Sequence, residues 1–219
     1  GQILAALAAR DMLDNTVVIF SSDHGEMAGD HDMRGKGNFY EGSCHVPMIA
    51  RLPGAAQAGA VRDDLVTLTD VTATLLALAD HQVPDYMDAR PLPGLGLEGE
   101  TEHAHLVGFL QGAWMAFDGR YKLSKYSSGF QALFDLANDP QEQNNLIDAA
   151  DHSTNRRLDE LLCREIMRSS QAANSYNEVF ILRFDVAVAL EEFVDAQDPD
   201  GAPERRPVLG VYAMVGHPF

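Results

Sequence analysis

The sequence predicts an α/β protein: a partial parallel sheet flanked by helices, then a smaller antiparallel C-terminal subdomain with a packed helix. Three observations carry this reading. Thr16-Val17-Val18-Ile19-Phe20 is β-branched and apolar on both faces, the pattern of a strand buried in a parallel sheet. Two strand-like runs, Ala113 to Phe117 and Arg120 to Tyr126, flank Asp118-Gly119, a pair favoured in two-residue hairpin turns of the primed type. Apolar residues also recur at helical spacing, first as Val71, Leu75 and Leu78, then as Leu158, Leu161, Leu162 and Ile166.

The elements follow in order. Ile3, Leu4, Leu7 and Ala8 already keep helical spacing with no capping residue ahead of them, and Gly1 is not a start methionine. The chain is therefore expected to be a segment of a longer polypeptide. Asp14-Asn15 turns into the first strand, and residues 21–45 form a polar, glycine-rich loop at that strand's carboxyl end. A second short strand, near Val46 to Arg51, ends at Pro53-Gly54. In open α/β sheets ligands bind beyond the carboxyl ends of strands, so this loop is where chemistry is expected. After an alanine- and glycine-rich connection, Thr69 or Asp70 is the expected cap of the next helix. Residues 84–101, rich in proline and glycine, read as a boundary. Leu133 to Leu136 is a further strand, ending at Asn138-Asp139-Pro140. From Phe180 to Leu190 the pattern alternates like a strand, yet Ala187 to Glu192 suits a helix. The expected division is residues 1–100 as part of a larger domain, 101–170 as the small subdomain, and 171–219 as a tail.

The 219 residues suffice for one sizeable core. Asp and Glu number 33 against 16 Lys and Arg, a formal charge of −17, which argues against nucleic-acid and anionic-membrane binding. No apolar run approaches the roughly 20 residues of a membrane-spanning helix. An anionic small substrate stays admissible, because a local site can be positive on an acidic protein. Cys44 and Cys163 lack the close spacing of metal-binding pairs and read as free thiols.

Within the loop, Asp23 and His24 follow directly on the first predicted strand, so a carboxylate and an imidazole can share one site at the sheet's edge. Oxygen ligands suit calcium, magnesium or manganese, and an imidazole widens the choice toward transition metals. Gly25 permits a sharp turn just after them. Lys36 lies between two glycines that let the backbone approach a bound anion. His31 is a candidate for the substrate pocket, while Glu26 and Asp30 read as solvated charges and His103 and His105 as structural. Trp114, Phe117 and Tyr121 read as hairpin packing.

Four separate phrases in this order resemble the sulfatase family of the alkaline phosphatase superfamily, near the bacterial sulfatases and the phosphonate monoester hydrolases and phosphodiesterases. They are the segment from Asn15 to Gly54, the helix opening at Thr69-Asp70, the run Asp118-Gly119-Arg120-Tyr121-Lys122-Leu123, and Leu133-Phe134-Asp135-Leu136 with Asp139 to Leu146. The resemblance covers roughly residues 1–170. It implies that Asp23 and His24 ligate a divalent cation, calcium first and manganese or magnesium otherwise, and that Lys36 contacts sulfate or phosphate oxygens. It also implies a formylglycine nucleophile made from a Cys/Ser-x-Pro/Ala-x-Arg motif. That motif is absent here, since neither Cys44-His45-Val46-Pro47-Met48 nor Cys163-Arg164-Glu165-Ile166-Met167 fits it. The nucleophile and the remaining ligands are expected upstream. His45 stands where relatives commonly carry arginine.

The expected function is hydrolysis of a sulfate ester, on a small molecule or glycan, by the complete enzyme. One alternative is a phosphodiester or phosphonate monoester hydrolase on the same fold. Another is a non-catalytic fragment that binds a partner. This chain by itself is not expected to turn over substrate.

Overall fold

The structure, a computed structural model, describes residues 1–53, 58–110, 112–149, 152–175 and 215–216. The alternating stretch from Phe180 to Leu190 lies outside them. Helix α1 (Gln2–Ala8) leads into β1 (Val18–Ser21), followed by the long loop and the single-turn helix α2 (Glu41–Cys44). Strand β2 (Met48–Arg51), the two-residue β3 (Val66–Thr67) and α3 (Leu68–Leu78) come next. Strands β4 (Leu106–Leu110), β5 (Ala113–Phe117), β6 (Tyr121–Tyr126) and β7 (Gln131–Asp135) precede the long α4 (Ser153–Ser175). A last two-residue strand, β8 (Val215–Gly216), pairs with β3.

The first strand departs from expectation. Among the described residues every strand pair is antiparallel, and β1 pairs with β2 in the register Phe20↔Ile49. The predicted partial parallel sheet is not present in these elements. An apolar, β-branched run encodes burial on both faces but not the direction of its neighbour. Nor is that burial complete here, for Phe20 is 58% and Ile49 55% exposed.

The four strands β4 to β7 form an antiparallel meander in sequence order. The hairpin between β5 and β6 sits one residue later than the sequence pattern placed it. Phe117 pairs with Lys122, so Gly119 and Arg120 are the central turn residues, and only Gly119 takes positive φ (91°). Glycine at the first central position is the requirement of a type II′ turn. Arg120 then reaches back to form two parallel hydrogen bonds to Asp135 on β7, at 2.9 and 2.7 Å.

Alternation along the strands divides the core in two. Ala116, Leu123 and Leu133 face α4, where Leu158 and Leu162 are buried against them. Each such leucine contributes about 2 kcal/mol by leaving water. On the opposite face Met115 and Phe117 pack with Phe39 and Cys44, which belong to the long loop and α2. The antiparallel sheet is thus the floor on which the end of the loop rests.

The cap of α3 also differs from expectation. Thr67, not Thr69 or Asp70, is the N-cap, and Asp70 closes a capping box by accepting the Thr67 amide at 2.7 Å. Asp70 is buried, and it accepts the Arg90 amide at 2.9 Å and a bond from His103 Nε2 at 3.0 Å. Thr74 donates to the Asp70 carbonyl and accepts from the Leu92 amide at 2.8 Å. Together these bonds stitch the proline-rich stretch onto α3.

Candidate functional site

The loop leaves β1 at Ser21. Ser22 Oγ donates to the His24 carbonyl at 2.8 Å, which fixes the backbone between the strand and the imidazole. His24 Nδ1 lies 2.7 Å from the Gly25 carbonyl oxygen, which can only accept, so Nδ1 carries the proton. In the neutral ring this leaves the lone pair on Nε2, and Nε2 stands 3.4 Å from Asp23 Oδ2. Two acceptors side by side repel unless the ring takes a second proton or a cation lies against both. A ring N–H held by a backbone carbonyl with the other nitrogen free is the arrangement that orients metal-ligating histidines. The donor set therefore fits a divalent cation, and both side chains reach solvent. Among the described residues no group of three or more His, Cys, Asp or Glu side chains is gathered for a metal.

Gly25 sits against α2. Its amide donates to the Ser43 carbonyl at 2.8 Å, and a Cβ on it would stand 2.1 Å from the Gly42 carbonyl oxygen. Only a residue without a side chain fits there. The predicted need for glycine holds, though close approach rather than a special dihedral causes it.

The loop then folds back on itself. The Met27 amide donates to the Gly35 carbonyl at 2.9 Å, and the Gly35 amide donates to Glu26 Oε1. Glu26 is solvent-exposed, as expected, and its carboxylate also ties the base of Lys36 to the residues just past His24. Lys36 is exposed between Gly35 (φ 79°) and Gly37 (φ 100°), and no hydrogen bond or ion pair engages it among the described residues. His31 goes elsewhere. Its ring stacks on Tyr40 with centroids 4.1 Å apart, and Tyr40 packs against Phe134 of β7. The structure thus joins Asp23 with His24, ties Gly35, next to Lys36, to Glu26 and Met27, and turns His31 toward the small sheet.

One cluster escaped the sequence reading. Lys122 of β6, only 2% exposed, holds Glu41 at 2.6 Å and Glu142 at 2.7 Å. Glu142 also accepts the Glu41 amide at 2.7 Å, and His45 Nδ1 lies 2.8 Å from Glu41 Oε2. Burial works to raise the Glu41 carboxyl, but the hydrogen bond from His45 and the charge and hydrogen bond of Lys122 outweigh it and hold Glu41 at about 2. Burial prevails at Glu142, which is raised. The only available signal was Lys122 itself, standing where the strand alternation calls for an inward residue. Nearby, burial pushes the Cys44 thiol up to about 12, so it is no nucleophile at neutral pH. Cys44 and Cys163 are both free thiols. No helix among the described residues is long and apolar enough to cross a membrane.

Comparison with known proteins bears on this arrangement. Residues 1–81 match the family model described as Sulfatase. Human arylsulfatase K is 35% identical over 165 residues, which are 67% of this chain and 30% of that protein. Arylsulfatase of Clostridium perfringens is 33% identical over 169 residues, 69% of this chain and 34% of the relative. The crystal structure of phosphonate monoester hydrolase from Agrobacterium radiobacter superposes with a TM-score of 0.64 at 33% identity, covering 78% of this chain and 38% of that one. The chain spans about a third of the length of these curated relatives. With its loop, its sheet and these matches, the chain carries a segment of the sulfatase family, within the alkaline phosphatase-like superfamily.

Proposed function

We propose that the complete protein hydrolyses a sulfate ester, and that this chain supplies two metal ligands and the cation that holds the ester's oxygens. The observation that carries the reading is the Asp23–His24 pair, with Oδ2 and Nε2 3.4 Å apart and Nδ1 held by the Gly25 carbonyl. A divalent cation, calcium first and manganese or magnesium otherwise, supplies Lewis-acid stabilisation of charge on the non-bridging oxygens.

The chain's own residues do the rest that it can do. Asp23 brings negative charge and His24 a neutral donor of fixed orientation. The Lys36 ammonium, uncommitted to any carboxylate among the described residues, is free to meet an oxyanion and to strengthen as the ester bond breaks. A formylglycine hydrate from an upstream segment completes the site, with further ligands from that segment. Residues 1–100 then finish the catalytic domain, 101–170 form the small subdomain beneath it, and the substrate is a sulfated small molecule or glycan.

The test is intact-mass and peptide mapping of the natural protein, then rates on matched sulfate and phosphate esters. A longer polypeptide with formylglycine and faster sulfate cleavage is expected. A native product of these residues alone, without formylglycine, overturns the reading. A second reading, phosphonate or phosphate ester hydrolysis, is favoured by the likeness to the Agrobacterium hydrolase, and faster phosphate cleavage would establish it.

A further inference from the structure

The charged cluster under α2 is placed to do more than hold two layers together. α2 has a single turn, too short to be stable by itself. Its hold on the rest of the protein is largely polar. The Glu41 amide and carboxylate are both taken, by Glu142 and Lys122 respectively. Lys122 comes from the middle of the antiparallel sheet, and Glu142 from the turn after β7, where it adopts φ 56°. On its other side α2 meets the loop through the hydrogen bond from Gly25 to Ser43, the backbone contact of Gly25 with Gly42, and the closeness of Gly42 to Met27, Asp30 and Glu26. Gly25 is also the residue whose carbonyl orients His24. A continuous path therefore runs from Lys122 through Glu41, the α2 backbone and Gly25 to the His24 imidazole.

We infer that Lys122, with Glu41 and Glu142, is a positioning group for the metal-ligand loop, fixing α2 and through it the orientation of His24. The inference rests on the reading of Asp23 and His24 as metal ligands. Burying Lys122 and Glu142, with Glu41 partly buried beside them, is a costly way to glue layers, since apolar residues of like volume fill such a space at least as stably. What the charges add is direction. Lys122 and Glu142 accept α2 in one position only, because both the Glu41 amide and its carboxylate must be met at once. The packing of Phe39 and Cys44 on the same face imposes no such restriction.

The experiment uses the complete protein, which brings the further ligands, with Mn²⁺ alone as probe. In the wild type, Mn²⁺ titration is followed by paramagnetic broadening of the His24 ring resonances, and exchange of the Gly25 amide is measured without metal. The same is done for Glu142→Gln and for the triple variant Glu41→Leu, Lys122→Met, Glu142→Leu, each held well below its melting midpoint. Both variants are expected to keep the α4 side of the core, seen in unchanged Leu158 and Leu162 methyl signals. Gly25 exchange should rise about ten-fold, and Mn²⁺ should bind His24 about ten-fold more weakly, the size of effect typical of groups that orient a ligand. The triple variant decides if Glu142→Gln does not fold. A folded variant with unchanged Gly25 exchange and unchanged Mn²⁺ broadening overturns the positioning role. Absence of Mn²⁺ broadening at His24 in the wild type instead overturns the metal reading on which the inference stands.

Discussion

Gly25 lies so close to Gly42 that an added Cβ would stand 2.1 Å from the Gly42 carbonyl oxygen, while its amide bonds Ser43 at 2.8 Å. The loop and α2 are therefore in backbone contact at this point, with no room for a side chain. Gly25→Ala must push the two apart and lose the hydrogen bond. The expected cost is about 2–3 kcal/mol in urea unfolding, with local exchange of the Ser22–His24 amides accelerated beyond that of the β4–β7 sheet. Equal acceleration everywhere would mean that the contact is not local.

Asp70 carries a second expectation. It is 1% exposed and serves the Thr67 amide, the Arg90 amide and His103 at once. Asp70→Ala removes a helix cap and strands two partly buried partners, for a loss of about 3 kcal/mol. Asp70→Asn keeps the shape and some of the bonds, so it should lose less. Urea midpoints of the two variants check this ordering.

Acid titration probes Glu41. Its folded value of about 2 lies below its ordinary 4.5, so its contribution is full above pH 4.5 and is lost as pH falls through about 2. Glu142 acts in the opposite sense, since its raised folded value means that its part is lost as pH rises. Glu41→Gln should therefore be less stable than wild type at neutral pH and flatter in stability between pH 4.5 and 2. A variant curve parallel to wild type across that window would remove Glu41 from the acid limb.

Lys36 should separate chemistry from folding. It is exposed and unengaged among the described residues, so Lys36→Ala should change stability by less than about 0.5 kcal/mol. In the complete enzyme the same change should lower kcat/KM about 10²–10³-fold, the scale for losing one stabilising donor to a developing oxyanion. Retained kcat/KM would take Lys36 out of the site.

What the sequence disclosed tracks the range of the forces involved. The β5–β6 hairpin and α4 are local patterns, and the residues named for them lie in them, with Leu158 and Leu162 buried as helical spacing implies. The turn moved by one residue because Asp118 spends its carboxylate on the Arg120 and Tyr121 amides and leaves Gly119 to take the positive φ. The α3 cap moved because Asp70 is as good at the third helical position as at the first. The direction of β1 was illegible, for pairing direction depends on where the neighbour comes from. In the site, adjacency in sequence made Asp23 and His24 easy to read together. Glu41 meets Lys122 and Glu142 across more than eighty residues of chain, and no periodicity announces that.

The β1–β2 ribbon has a consequence of its own. Phe20 and Ile49 sit opposite one another, each more than half in water, on what is, among the described residues, a two-stranded sheet. Such a ribbon is marginal in isolation. An exposed apolar pair on such a ribbon is a site for self-association at this one corner. Light scattering that rises with concentration, and falls when Phe20 and Ile49 are both changed to threonine, would place the stickiness there.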